Sequence, residues 1–394
     1  MRIAILTSGI LPVPAVQGGA VETLIDSYLA YNRKHRLHDI TVYSIGSKNL
    51  RTGSDDSPNR YVYIDIDSPA AKIRKHLFRL THGEGYYYFG IEYYLDRTLK
   101  HIRRARYDII IIENRPGFAL RIPDDIGAKL VLHLHNDFLN TATHCAREIS
   151  GQLSRIVCVS DYISGMVRQI EPDSGKIVTV HNGIDTEAFC RKAGAGMTRE
   201  RLGLKPDDFV IIFTGRIIPE KGIAELIEAI ALLERHEDIK LIVTGKSILM
   251  QHDDGGRFLA SLREKAAMQG DRIVFTGHIP HSAIAEYLHL ADIAALPSTW
   301  EEPFGLTCVE AMAAGLPVIT TDKGGLPEIT TSDCAITVAT GEGLSRRLAA
   351  AILELFSSPD RRRSMGKAAA ERAQLFTEER YAEAFFHALD GMLD

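Results

Sequence analysis

In the stretch PSTWEEPFGLTCVEAMAAG, residues 297–315, two glutamates, Glu302 and Glu310, flank a Pro-Phe-Gly turn at a spacing of eight. Leu296-Pro297 reads as the close of a strand, Glu302-Pro303 as the approach to a helix from about Phe304 to Ala314, and Gly315 as its stop. The N–H groups of Phe304, Gly305 and Leu306 would then lie unpaired at a helix start beside a strand's carboxyl edge, an anion site suited to phosphate. Gly305 is expected to leave room for that phosphate. Glu302 falls in the loop just outside, and Glu310 almost two turns in, where a carboxylate can accept from two adjacent hydroxyls such as those of a ribose. The plainer reading makes Glu302 a helix-cap acid and Glu310 a surface residue.

Other residues offer chemistry of the same kind. Arg216 and Lys221, in FTGRIIPEKGIAELIEAI (213–230), follow a strand and precede a helix. Fixed cations there can stabilise charge building on a departing diphosphate, arginine through its planar fork and lysine as a point charge. Solvated charges at a helix start are the alternative. Three strands end in Thr-Gly, which sets Gly215 and Gly245 where a ligand can approach the backbone. His133 and His135 alternate in LHLHND (132–137), so both project to one face with Asp137. Two imidazoles are too few for a metal site without a third ligand nearby, and a strand histidine is commonly a satisfied core residue. Gly18 and Gly19 open the first helix, but TSGILPVPAVQGG lacks the G-x-G-x-x-G spacing and so speaks against a dinucleotide. The D-x-D of YVYIDID (61–67) sits inside an alternating strand and reads as structural; Asn182 and Asp185 read as turn residues.

These groups need a frame. Short β-branched runs recur at βα spacing: RIAIL, DITVYSI, YVYIDI, DIIIIEN, KLVLHLH, RIVCVS and KIVTVHN, then FVIIFTG, IKLIVTG, RIVFTG, DIAALPS and LPVITT. Near-continuous apolar strands separated by helical segments predict parallel sheets covered on both faces. The fold class expected is α/β, two doubly wound Rossmann-like domains in tandem. The boundaries read as an N-terminal domain over 1–190, a glycine-rich charged linker over 191–208 and a C-terminal domain over 209–376. The amphipathic segment 377–394 can pack on either.

At 394 residues, two domains is the natural expectation. No run of eighteen apolar residues occurs, and the start lacks the basic region and cleavage site of a secretory signal. Five scattered cysteines with no C-x-x-C argue against a disulfide framework or a zinc site and for a reducing, cytoplasmic setting. The first 187 residues carry 23 basic against 21 acidic side chains, leaving 23 against 30 for the remainder, which is not the balance of a nucleic-acid binder. Residues 72–106 concentrate nine basic against three acidic side chains, interleaved with Leu77, Phe78, Leu80 and the run YYYFGIEYY. Such a segment can lie on an anionic membrane at the cytoplasmic face. It equally reads as two solvated helices with core aromatics, or as tyrosines that stack on sugars.

The string PSTWEEPFGLT-VEAMAAGLPVITT, followed by GGLPEI (324–329), resembles the retaining GT-B glycosyltransferases of glycosyltransferase family 4, of the type that builds capsule, exopolysaccharide or lipopolysaccharide. FTGRIIPEKGIAELIEAI, HNGID (181–185), LHLHND and the Gly18-Gly19 turn resemble further segments of that family in the same order. The resemblance implies a GT-B fold whose last helix returns to the N-terminal domain. It also implies retaining transfer, without a metal or other cofactor, from a nucleoside-diphosphate sugar, UDP-sugar first, to a glycan or lipid-linked acceptor in the cleft between domains. Carried onto this chain, the catalytic set is His135, Arg216, Lys221 and Glu302. Donor binding falls to Gly18, Gly19, Gly215, Arg216, Lys221, Gly245, Ile279, Phe304, Gly305, Leu306 and Glu310, with Ile279 beside the nucleobase. A GT-B sugar-nucleotide isomerase and a catalytically silent sugar-nucleotide-binding partner are the alternatives.

Overall fold

The computed structural model describes residues 1–46, 50, 57–82, 89–172, 174–190, 196–245 and 254–392. Its strands are β1 (Arg2–Leu6), β2 (Asp39–Ile45), β3 (Asn59–Ile64), β4 (Ile109–Glu113), β5 (Lys129–Leu134), β6 (Arg155–Cys158) and β7 (Ile177–Thr179) in one sheet. A second sheet holds β8 (Phe209–Thr214), β9 (Ile239–Thr244), β10 (Ile273–Gly277), β11 (Ile293–Leu296), β12 (Val318–Thr321) and β13 (Ala335–Val338). The orders are β3-β2-β1-β4-β5-β6-β7 and β10-β9-β8-β11-β12-β13, every pairing parallel. The isoleucines of β4 and all of β8 and β9 are buried, as strands covered on both faces must be. In each sheet the chain winds outward from a central strand and then resumes on its other side. The crevice this leaves at the strand carboxyl ends, beside β1 and β4 in one sheet and β8 and β11 in the other, is where open α/β sheets take ligands.

Strand β13, AITV, is absent from the sequence expectation: it is short, and its two middle residues are partly exposed, so it carries no apolar run. Strand β3 ends at Ile64, ahead of the D-x-D. Asp65 stands in the following turn, its Oδ1 accepting from the Asp67 N–H at 3.0 Å.

The chain divides into two compact units, Met1–Gly183 with Glu378–Asp394, and Ile184–Thr377. Within the first, the helix Glu378–His387 lies on the helix Ala20–His35, with Tyr28 and Phe385 stacked at 4.4 Å and Ser27 Oγ donating to Glu378 Oε1 at 2.7 Å. The second begins at Ile184 and not after Cys190, because Ile184 N–H donates to Phe376 O and the helix Thr186–Cys190 packs on the helix Leu306–Ala313. Residues 191–195 of the expected linker lie outside the described residues, and 196–208 belong to the second unit. Arg199 pins that segment by donating to the carbonyls of Leu290, Pro206 and Asp208 and to the Asp292 carboxylate.

Among the described residues no helix is long and apolar enough to cross a membrane. The basic segment 72–106 separates into two helices, Pro69–His82 and Phe89–Ile102. Phe89, Tyr93 and Tyr94 are buried, and Tyr94 Oη donates to Tyr43 O at 2.6 Å, so these aromatics are core. Tyr86, Tyr87 and Tyr88 lie outside the described residues. The helix Pro69–His82 instead exposes Ile73 and Leu77 beside Lys72, Arg74 and Lys75.

Candidate functional site

In the second unit, the three Thr-Gly strand ends stand side by side. Gly215 N–H donates to Thr244 O, and Gly245 N–H to Gly277 O at 3.0 Å. A Cβ on Gly245 would lie 1.8 Å from Gly215 O, and its φ of 153° disfavours any side chain, so this step admits only glycine. The chain leaves β8 through Gly215 and the exposed Arg216, then forms a tight turn at Pro219–Lys221 before the helix Ile223–Leu232. Among the described residues, the Arg216 guanidinium has no hydrogen-bond or ion-pair partner.

Lys221, read from the sequence as a diphosphate cation, and Glu302 meet directly. Lys221 Nζ donates to Glu302 Oε1, which also accepts from Ser298 Oγ at 2.7 Å. Glu302 is buried, and the segment GGLPEI closes over it, Gly325 N–H donating to Glu302 O at 2.8 Å. A small pocket lined by Thr214, Lys221, Ser298, Glu302, Gly305 and Thr307 opens there, at the ends of β8 and β11.

The helix that carries Glu310 starts at Leu306, two residues later than expected. Among the described residues its unpaired donors are the N–H groups of Gly305, Leu306 and Thr307, since Cys308 N–H already donates to Gly305 O. Phe304 is therefore not part of the helix start. It is 2% exposed, its ring packed at 5.7 Å from that of Phe376. At Gly305 a Cβ would lie 2.7 Å from Leu326 Cδ2, and φ is 121°, so packing against the GGLPEI segment and the backbone turn both require glycine there. Glu310 is buried, not on the surface, and its Oε1 lies 2.8 Å from His281 Nε2. His281 comes from the segment after β10 that also carries the half-buried Ile279, and its ring meets Phe189 edge-on at 5.7 Å. A lone loop histidine gives no sequence signal, and the reading missed it.

In the first unit, Gly18 and Gly19 immediately precede the helix Ala20–His35. His133 and His135 do share one face of the sheet, ring centroids 4.1 Å apart, but Asp137 does not join them. Their partner is Glu113, at the end of the neighbouring strand β4. Glu113 Oε2 lies 2.9 Å from His135 Nε2 and 3.1 Å from His133 Nδ1, while Oε1 accepts from Tyr28 Oη at 2.8 Å. All three residues are buried. Burial alone would raise the Glu113 carboxyl; the facing imidazoles outweigh it and hold the group well below the usual carboxylate range. Burial, with His133 adding to it, lowers His135 to about 4, against the opposing pull of Glu113. Tyr28 and Tyr381 are both raised, by burial first and by Glu113 next. These three residues bring ligand-capable atoms within 4.8 Å of one another, so the third ligand the sequence lacked exists. An ion there would have to displace both imidazole–carboxylate bonds. Asp185 caps the helix Thr186–Cys190, its Oδ1 accepting from Ala188 N–H, in keeping with a turn role.

Residues 21–188 match the family described as Glycosyltransferase Family 4, and residues 197–372 the one described as Glycosyl transferases group 1. The chain belongs to glycosyltransferase family 4. A Bacillus subtilis (strain 168) protein, YtcC, provisionally named a glycosyltransferase, is 28% identical over 390 residues, covering 96% of this chain and 89% of that protein. Sucrose-phosphate synthase from Thermosynechococcus elongatus superposes with a TM-score of 0.77 at 21% identity, over 99% of this chain and 98% of the other. Anabaena Alr3699/HepE, solved in complex with UDP-glucose, superposes with a TM-score of 0.73 at 20% identity over 99% of both chains. With these neighbours, the two doubly wound units are those of the GT-B fold, and the family's activity class is glycosyl transfer.

Proposed function

We propose that the chain moves a sugar from a UDP-sugar, with retention of anomeric configuration and without a metal, to a glycan or lipid-linked acceptor in polysaccharide biosynthesis. The observation that carries this reading is the corner at the ends of β8 and β11. There Lys221, held by Glu302, lines a pocket with Gly305 and Thr307 of a helix start, and Arg216, without a partner among the described residues, follows β8 on the same sheet edge. Transfer places growing negative charge on the departing diphosphate, and preorganised cations and amide dipoles stabilise it in the transition state more than in the ground state. Lys221 can trade part of its bond to Glu302 for a phosphate oxygen; Glu302, released in the same step, is left to accept from a sugar hydroxyl. Glu310 takes the ribose hydroxyls, with Ile279 near the base and Gly215 and Gly245 admitting the donor to the backbone. His135 serves the donor sugar, and the Gly18-Gly19 turn the distal phosphate or the acceptor. The solved complex of a GT-B neighbour with UDP-glucose supports uridine as the first base to test.

The exposed basic and apolar surface of helix Pro69–His82 is proposed to contact anionic lipid where a lipid-linked acceptor is delivered. A flotation assay with phosphatidylglycerol vesicles should retain the chain, and one with phosphatidylcholine vesicles should not.

The direct test is turnover with UDP-, GDP- and ADP-sugars, in the presence and absence of EDTA. The product anomer is read by NMR from an α-configured donor. Release of UDP with an α-linked product, unaffected by EDTA, is expected. An inverted product, or activity abolished by EDTA and restored by a divalent ion, would contradict the reading.

A further inference from the structure

We propose that Glu113 is a positioning residue: by accepting from both imidazoles it holds His135 as the Nε2–H tautomer and leaves Nδ1 as a bare acceptor for a hydroxyl of the transferred sugar. The second half of this rests on the reading that His135 serves the donor sugar. An ionised carboxylate can only accept, so each nitrogen facing it must carry a proton. The facing atoms are His133 Nδ1 and His135 Nε2. A neutral imidazole has one N–H, and the hydrogen bond made at one nitrogen sets what the other can do. A neutral His135 with its proton on the Glu113 side keeps Nδ1 as a lone-pair acceptor, and among the described residues that buried atom has no protein partner.

The two rings differ in what surrounds them. His133 is 0% exposed and lies against the C-terminal helix, its centroid 4.9 Å from Phe385 and 6.4 Å from Tyr381. His135 stands one residue past the end of β5 and is 6% exposed, its Nδ1 itself covered, and the hydroxyl is assigned to it on that account. Its backbone is fixed as well: His135 N–H donates to Asn114 Oδ1, and Asn114 N–H to His133 O. The groups facing Glu113 are His133 from β5 and His135 just after it, Tyr28 from the first helix and Tyr381 from the last, with the buried Glu22 on that first helix adding like charge. No cation other than an imidazole stands among them. One mechanistic consequence is that the His135 side chain cannot donate to a phosphate or protonate a leaving group, because its only proton is committed to Glu113.

The test combines tautomer spectra with kinetics on the full chain. Long-range proton–nitrogen NMR of histidine-labelled protein near neutral pH is expected to show His135 protonated at Nε2 and bare at Nδ1. In Glu113→Gln, whose single amide oxygen cannot serve both Tyr28 and the two rings and whose NH2 adds a donor, His135 should become a mixture of tautomers. Its kcat should fall by about 10- to 100-fold, the range for losing a partner that orients a functional imidazole. The donor KM and the affinity for UDP should stay unchanged, and Glu113→Asp should recover part of the rate. If Glu113→Gln does not fold, the wild-type spectrum and Glu113→Asp decide. A wild-type His135 protonated at Nδ1 or at both nitrogens would overturn the proposal, as would one stoichiometric metal ion in the purified protein. So would a Glu113→Gln protein that is less stable yet keeps the wild-type tautomer and kcat. If the wild-type chain turns over no donor, the transfer reading fails by itself, and the spectra still decide whether Glu113 sets the tautomer.

Discussion

Glu113 closes β4 and Glu302 lies in the loop after β11, the corresponding strand of the other sheet, one 0% and the other 7% exposed. Glu113 is enclosed by the chain's own donors, two imidazoles and a phenol, and walled by Phe385 and Tyr381. Glu302 has Lys221 and Ser298, beside a pocket. A buried acid whose partners are all internal and fixed sets geometry. One whose partner is a flexible cation at a pocket can exchange that partner for a ligand. The contrast assigns Glu113 to architecture and orientation and Glu302 to the exchange of charge with a donor.

The largest effect expected from this contrast is on stability. Glu113→Ala strips the acceptor from three buried donors, at about 1–3 kcal/mol for each unsatisfied group, so a loss of at least about 3 kcal/mol is expected in urea unfolding. Glu302→Ala should cost less, about 1–2 kcal/mol, because Ser298 Oγ keeps the Glu220 carbonyl as acceptor and Lys221 borders a pocket it can turn into. Equal losses would erase the distinction.

Acid should act on the Glu113 site next. His135 is lowered from 6.5 to about 4, so the unfolded chain binds more protons between those values. Stability is therefore fully present above about pH 6.5 and falls as pH drops toward 4, by on the order of 3 kcal/mol for a shift of that size. The depressed Glu113 carboxyl works in the same direction, its contribution present above the ordinary carboxylate value of 4.5 and lost below it. Chemical denaturation at stepped pH should show this slope in the wild type and a shallower one in His135→Asn.

Lys221→Ala and Arg216→Ala should spare the fold and cost about 2–4 kcal/mol of transition-state stabilisation, or 10²–10³-fold in kcat. Steady-state kinetics with saturating donor would show this. A rise confined to KM would make them ground-state binders.

The smallest effect belongs to Glu310→Gln, which keeps one acceptor. UDP affinity by calorimetry should weaken by about tenfold, the scale of one hydrogen bond to a charged group. Unchanged affinity would remove Glu310 from the ribose.

Much of this frame is legible in the chain. Apolar runs such as IIII of β4 and VIIF of β8 are strands because a doubly covered parallel sheet needs every residue apolar, and helical segments between them force parallel crossovers. The spacing of Glu302 and Glu310 is legible for the same local reason. What is not legible depends on strand order. Glu113 and His135 lie far apart in sequence, and only the pairing of β4 with β5 joins them. Read on its own strand, Glu113 is the polar end of an isoleucine run. The His281–Glu310 contact likewise needs the segment after β10 to reach the helix Leu306–Ala313. The helix start was misplaced because Pro303 marks a chain entering a helix without saying where Gly305, at φ 121°, will let it turn.

A crystal structure with UDP bound tests the central claim most directly. The account predicts the pyrophosphate within hydrogen-bond distance of Arg216, Lys221 and the Gly305 and Leu306 N–H groups, with the ribose on Glu310. A nucleotide seated elsewhere, with Lys221 still closed on Glu302 and Arg216 still unpartnered, would contradict it.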